Sequence, residues 1–457
     1  METSNNSDLI KGYKDFLTEG KTERECTLFL IKEAQKNGYK DINEVTELKA
    51  GDKVYVNKWG KAIALFNIGS ESLEKGLNIL GAHIDSPRLD VKQNPLMEKD
   101  FLVYLNTHYY GGIKKYQWVT LPLAIHGVVC KKDGSVINVN IGENADDPVF
   151  VISDILPHLA QKQMKETAAE FIPGESLDLI LGSEIPPEKA EENADKEKKE
   201  KSEKNKAKKN ILKILNEKYG IEEADFGSAE LEIVPAGSPR DLGFDRSLIL
   251  AYGQDDRSCA YASARALFES QAKKRTNVCL CVDKEEIGSV GATGMESHFF
   301  ENAVSEVIAR RGDYSELTLR RCLNNSYMLS SDVNAAFDPQ NADLFDKDNA
   351  SFLNGGIVFN KYTGSRGKYS ASDASPEFIA KLRKVLDDAK VKYQMAELGK
   401  VDQGGGGTIA YLAAKYGMYV LDAGVAVLSM HAPWEITAKE DMVQATNAYK
   451  AFLCIED

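Results

Sequence analysis

His83 and Asp85 stand two apart in GAHIDSPRLD, directly after the apolar run LNIL. On an extended chain, residues i and i+2 face the same side. One face therefore offers an imidazole and a carboxylate together. Such a pair suits a metal ligand with the acid that orients its other ring nitrogen. It equally suits a surface hydrogen bond at a strand end. The same event repeats along the chain, a hydrophobic run followed by acids or a histidine. Asp255 and Asp256 follow RSLILAYGQ, Glu285 and Glu286 follow NVCLCVDK, Asp332 follows SYMLSS, and His431 follows GMYVLDAGVAVLSM. All are oxygen or nitrogen donors. Two imidazoles with several carboxylates suit Zn²⁺, Co²⁺ or Mn²⁺ bound for hydrolysis. A single catalytic zinc takes three protein ligands plus water, and this set is richer. It is enough for two divalent ions about 3.5–4 Å apart that share a bridging carboxylate and supply a hydroxide nucleophile. Glu285 and Glu286 repel one another unless something positive compensates. With metal present, one glutamate could ligate while the other serves as general base. A solvent-exposed acidic turn is the plain alternative, and spacing alone does not separate a peptidase from another metal-dependent hydrolase.

The elements around these residues must bring them together. Residues 8–37 read as helices, with TERECTLFLIKEAQKNGY apolar at helical spacing up to Asn37-Gly38. Short strand-like runs follow, KVYVNK, KAIALFNIG and LNILGAH, and Gly81 reads as the point where the backbone turns at the strand exit. From about residue 95 the texture becomes β-rich, in FLVYLNTHYYGG, WVTLPLAIHGVVC and SVINVNIG. Within it, residues 186–210 have no aromatic or β-branched residue. They read as a solvated surface insertion or a charged helix too polar to bury a face. After about residue 238, strands alternate again with helices such as RSCAYASARALFES and SPEFIAKLRKVLDDAKV. The expectation is an α/β fold in a discontinuous domain, residues 1–94 and 238–457, interrupted by a β-rich domain at 95–237. In open α/β sheets, ligands bind outside the carboxyl ends of the strands, where the acids and histidines above are found.

Composition narrows the function. The chain has 457 residues, 43% of them hydrophobic, enough for two or three domains. Its 70 acidic against 57 basic residues give a formal net charge of −13, which argues against a general nucleic-acid or anionic-membrane binder. No signal-peptide pattern and no membrane-spanning run is read, so the expectation is a cytoplasmic protein. The seven cysteines are sparse and read as free thiols in a reducing compartment. Cys279 and Cys281 have no second pair at zinc-finger spacing. Gly404 to Gly407 in DQGGGGTIA lack the Lys-Ser/Thr of a P-loop and read as a close-approach turn near a substrate.

GAHIDSPRLDVKQNP, THYYGGIKKYQWVTLPLAIHG, GQDDRSCA, DKEEIGSVGATG, SSDVNAAFDP, KYTGSRGKYSASDA and LSMHAPWE together resemble the M18 metallopeptidases, the aspartyl aminopeptidases, in a bacterial form. The resemblance runs from about residue 8 to 455. It implies a mixed-sheet zinc-peptidase catalytic domain with two divalent ions, most often zinc, with cobalt or manganese as alternatives. It also implies an inserted domain that dimerises and covers the active site, and homo-oligomers that reach a dodecamer. Carried over, His83, Asp255 and Asp332 would hold one metal, and Asp255, Glu286 and His431 the other. Asp85 would orient His83, Asp256 would support the site, and Glu285 would be the general base. The resemblance further implies cleavage of N-terminal Asp or Glu from peptides, with Arg366 and Lys368 as candidate readers of the acid. His158 resembles a histidine that reaches a neighbouring subunit's active site, although Lys162 stands where some relatives carry a second one. Two other classes compete: a metal-dependent deacylase or carboxypeptidase of similar fold, and a non-catalytic assembly protein.

Overall fold

The structure, a computed structural model, describes residues 2–186, 205–369 and 371–456. The chain divides into two units, residues 1–86 with 238–457, and residues 87–237.

In the first unit, nine strands form one mixed sheet. Their order is Lys40–Asp41, Lys53–Lys58, Ala62–Asn67, Thr276–Val282, Leu77–His83, Tyr327–Ser330, Tyr419–Gly424, Ile357–Asn360 and Tyr393–Met395. The four strands from Thr276–Val282 to Tyr419–Gly424 run parallel. Every residue of Leu77–His83 and of Thr276–Val282 is buried, as expected where helices cover both faces. Alternate side chains go to opposite faces. Leu80, Ala82, Cys279 and Cys281 join a cluster with the helices Glu2–Glu19, Glu23–Lys36, Gln254–Glu269 and Lys439–Leu453. Ile79, Val278, Leu280 and Met328 join another with Phe299–Arg311 and Glu316–Asn324. The result is a three-layer α/β/α unit.

Local sequence sets the helix ends. Glu23–Lys36 opens on a capping box in which the Thr22 hydroxyl accepts the Glu25 N–H and the Glu25 carboxylate accepts the Thr22 N–H. Gly81 does not turn the chain. It lies inside its strand, and an added Cβ would sit 2.3 Å from Met328 Cε. The missing side chain therefore makes room for the Met328 side chain, and the chain leaves the sheet only after His83. A separate antiparallel sheet joins Arg240–Leu242, Leu248–Ala251 and Glu435–Ala438, with Ala251 opposite Glu435.

The second unit is a six-stranded antiparallel sheet in the order Val136–Ile141, Leu123–Cys130, Ala229–Pro235, Arg88–Lys99, Leu102–Tyr110 and Leu179–Gly182. It begins at Pro87, because residues 88–94 belong to one continuous strand with the residues after them. Buried Arg88 donates from Nε to Asp90 at 2.8 Å and lies 3.0 Å from Glu232, with its guanidinium over the Tyr110 ring. Of the charged segment 186–210, residues 187–204 lie outside the described residues, and a helix runs from Lys206 to Tyr219. All seven cysteines are free, and five are buried. Among the described residues, no helix is long and apolar enough to cross a membrane.

Candidate metal centre

The carboxyl ends of the central parallel strands open into a cleft of about 1050 Å³, lined by His83, Asp255, Glu285, Glu286, Asp332 and His431. Each arrives differently. His83 ends Leu77–His83, and Asp332 follows Tyr327–Ser330. Glu285 and Glu286 form a 3-10 turn after Thr276–Val282, between left-handed Lys284 (φ +69°) and Gly288 (φ +94°). Asp255 lies at the kinked entry of the helix Gln254–Glu269, its own backbone non-helical (φ −80°, ψ +113°), and its peptide bond to Asp256 is cis. His431 sits in a turn with φ +65°, a left-handed conformation that a non-glycine residue adopts only when its surroundings hold it there.

Two donor trios result, His83–Asp255–Asp332 and Asp255–Glu286–His431. In each, the ligand atoms lie within 4.8 Å of one another. Asp255 spans both, with Oδ1 3.3 Å from His83 Nε2 and Oδ2 3.2 Å from His431 Nε2. His431 Nε2 is also 3.5 Å from Glu286 Oε2. Glu285 Oε2 stands 3.9 Å from His83 Nε2, with its side chain still 16% exposed to the cleft.

Asp85 lies behind this face, fully buried. Its Oδ1 accepts the Glu285 N–H at 3.1 Å and sits 3.3 Å from His83 Nδ1, while Oδ2 accepts the Glu286 N–H at 3.2 Å. One carboxylate therefore orients an imidazole and pins the turn that carries both glutamates. Only the first of these duties was legible from the i, i+2 spacing. Asp256 Oδ2 accepts the His83 N–H at 3.3 Å.

Burial and crowding of like charges shape the electrostatics of the site. Burial pushes Glu286 and Asp332 well above the ordinary carboxylate range, and neighbouring carboxylates add to it. Glu285 is pushed up to about 7, by burial and then by Asp85 and Asp255. Asp255 is the exception. Burial would raise it, but its contacts with His431 and His83 outweigh that and hold it well below the usual range. Glu286 Oε1 and Asp256 Oδ1 are buried and have no hydrogen-bond partner among the described residues. A buried surplus of carboxylates with imidazoles aimed at the same spaces is the donor chemistry that divalent Zn, Co or Mn takes.

The remaining candidates separate. Arg366 (φ +50°) and Lys368 both line the cleft. Lys368 Nζ is held 3.2 Å from Asp373 and 3.6 Å from the Tyr362 ring centroid. Gly404 to Gly407 also line it, and a Cβ on Gly404 would sit 1.8 Å from the Leu398 carbonyl oxygen. His158 belongs to the second unit, where it is exposed in a turn. Glu435 escaped the sequence reading altogether. Its only signal was an acid four residues beyond His431 in HAPWE.

Comparison with known proteins settles the family. The description "Aminopeptidase I zinc metalloprotease (M18)" matches residues 16–453. The chain belongs to the M18 metallopeptidase family. It is 58% identical over 445 residues to a probable M18 family aminopeptidase 1 of Clostridium acetobutylicum, covering 96% of this chain and 93% of that one. The crystal structure of an M18 aminopeptidase from Thermotoga maritima superimposes with a TM-score of 0.93 at 44% identity, covering 98% and 96% of the two chains. That of aminopeptidase I from Clostridium acetobutylicum gives 0.89 at 54% identity, covering 97% and 94%. This M18 protein is thus a metallo-aminopeptidase, a hydrolase that depends on metal.

Proposed function

We propose that this M18 aminopeptidase removes N-terminal Asp or Glu from peptides, using two divalent ions, most simply zinc, that share Asp255. The observation that carries the reading is the pair of donor trios meeting at one carboxylate. His83, Asp255 and Asp332 would hold one ion, and Asp255, Glu286 and His431 the other. When bound, such ions polarise the scissile carbonyl and lower the pKa of a water toward neutrality. Glu285 faces the cleft without belonging to either trio, and it takes the water's proton and hands it to the leaving amine. Asp85 keeps Glu285 in place through its backbone N–H. With Lys368 engaged by Asp373, Arg366 is the cation that meets the substrate's acidic side chain through a charge-assisted pair.

Self-association is part of the same reading. In the second unit Ile155, Leu156, Leu159 and Met164 stand exposed, Leu159 and Met164 each at 70%. Apolar clusters of this kind mark interaction surfaces. We place a dimer contact there and a cytoplasmic homo-oligomer built on it, of dodecameric size at most. His158 lies in the same segment and would reach a neighbouring subunit. Light scattering on the native protein and on Leu159→Glu reads this directly: a larger assembly that falls apart in the variant supports it, and a monomer refutes it.

The catalytic reading is tested on Asp-, Glu-, Leu- and Lys-terminated chromogenic amides, after chelation and with Zn²⁺, Co²⁺ or Mn²⁺ restored. Metal-dependent cleavage led by Asp or Glu, abolished by blocking the substrate's amino group, is expected. Cleavage led by another residue removes the acidic preference. Cleavage of blocked substrates would favour a deacylase.

A further inference from the structure

Glu435 is buried beside the cleft and belongs to neither donor trio. Its Oε2 accepts the Asp255 N–H at 3.0 Å, and its Oε1 accepts the His431 N–H at 2.7 Å. One carboxylate thus ties together two segments far apart in sequence, the non-helical entry to the helix Gln254–Glu269 and a left-handed turn. Glu435 is itself anchored. It opens the strand Glu435–Ala438, opposite Ala251, and its carbonyl accepts from Gln254 Nε2 at 2.7 Å. The Gln254 side-chain oxygen Oε1 in turn accepts the Tyr13 hydroxyl at 3.0 Å. The chain of contacts runs from the first helix through Gln254 and Glu435 to the backbone of Asp255 and His431.

The two trios depend on this contact unequally. His83 is held by Asp85 at Nδ1 and by Asp256 at its N–H, and the Asp255 carbonyl accepts from Ser86 Oγ at 2.8 Å. None of those contacts involves Glu435, and Asp255, whose N–H Glu435 does hold, keeps the Ser86 contact at its carbonyl when Glu435 is lost. His431 lies in a strained conformation, and the Glu435 contact holds its N–H. Losing that contact frees the turn to relax, and the imidazole then moves away from Asp255 Oδ2 and Glu286 Oε2. We infer that Glu435 is a positioning residue that controls one of the two metal positions, Asp255–Glu286–His431, and leaves His83–Asp255–Asp332 largely untouched. This rests on the two-ion reading proposed above.

The test is metal titration of the full-length protein after chelation, by calorimetry with Zn²⁺ and by visible absorption with Co²⁺, on native protein and Glu435→Gln. Glutamine keeps the length and one acceptor oxygen, but its NH₂ must face a backbone N–H. The native protein is expected to bind two ions per chain. In the variant one site keeps its affinity within about threefold and the other weakens about 10- to 100-fold, the range seen when a ligand's supporting partner is lost. A purely structural role would instead lower the melting temperature and weaken both sites alike, and that result overturns the inference. So do two unchanged sites. A single ion in the native protein would refute the two-ion reading itself, before the variant is considered. If Glu435→Gln does not fold, Glu435→Asp replaces it. That variant keeps the charge but draws the carboxylate back by a methylene, so it cannot span both N–H groups, and the same selective loss is expected.

Discussion

Replacing Asp85 by Asn tests whether one buried carboxylate organises both the first imidazole and the glutamate turn. The change is nearly isosteric. Asp85 offers two oxygens to Glu285 N–H, Glu286 N–H and His83 Nδ1, at 3.1, 3.2 and 3.3 Å. Asparagine offers one oxygen and one NH₂. The oxygen can satisfy one backbone N–H, and the NH₂ must then face the other. At least one hydrogen bond to a charged acceptor is lost, worth about 1.5–3 kcal/mol. His83 keeps the Asp85 backbone carbonyl, 3.1 Å from Nδ1, so the imidazole is not wholly released. If the loss is expressed at the transition state, kcat/KM falls about 10- to 150-fold. The assay is kcat/KM on an Asp-terminated chromogenic amide at saturating metal, with metal content and melting temperature measured on the same preparation. A kcat/KM within threefold of native, with two ions bound, would refute the reasoning.

Glu285→Gln is expected to bind metal as the native protein does and to lose about 10²–10⁴-fold in kcat, the usual weight of a general base; unchanged turnover would remove that role. Arg366→Ala should raise KM for Asp-terminated substrates about tenfold or more, on the scale of a charge-assisted pair, while Lys368→Ala, whose amine is held by Asp373, should change it less than threefold; the reverse order in a KM comparison would reassign the acid reader. Away from the site, burial pushes the Asp441 carboxyl up to about 6 from 3.8, against the backbone N–H groups of Gly356 and Asn354 that favour its charged form. Because its folded pKa is the higher one, its contribution to stability is fully present below about pH 3.8 and lost as pH rises through about 6. Asp441→Asn lacks that loss, so its stability relative to native should rise by up to about 3 kcal/mol between pH 4 and 7; a difference that stays constant in denaturant melts across that range would contradict the assigned burial effect.

The convergence of these candidate donors was legible because each follows an apolar run, and runs buried on both faces become central parallel strands. His83, Glu285, Glu286 and Asp332 leave that sheet at its carboxyl edge, so their convergence follows from topology. Asp255 and His431 were legible by the same pattern, although they are delivered by the small antiparallel sheet and the turn beside it. What stayed hidden depends on contacts between distant segments. Nothing local announces that Asp85 accepts from N–H groups 200 residues away or that Glu435 bridges Asp255 and His431. The pairing of Lys368 with Asp373 and Tyr362 is closer in sequence, but it needs the loop's tertiary course. Gly81 was misread as a turn for a related reason. Its missing side chain makes room for Met328 on a neighbouring strand, and strand order is a property of the folded sheet.

The central claim is that two ions share Asp255, and anomalous diffraction from crystals soaked in Zn²⁺ or Mn²⁺ tests it most directly. The account predicts two peaks per chain about 3.5–4 Å apart, one against His83, Asp255 and Asp332 and the other against Asp255, Glu286 and His431. A single peak, or peaks that leave Asp255 out of either coordination shell, would contradict it.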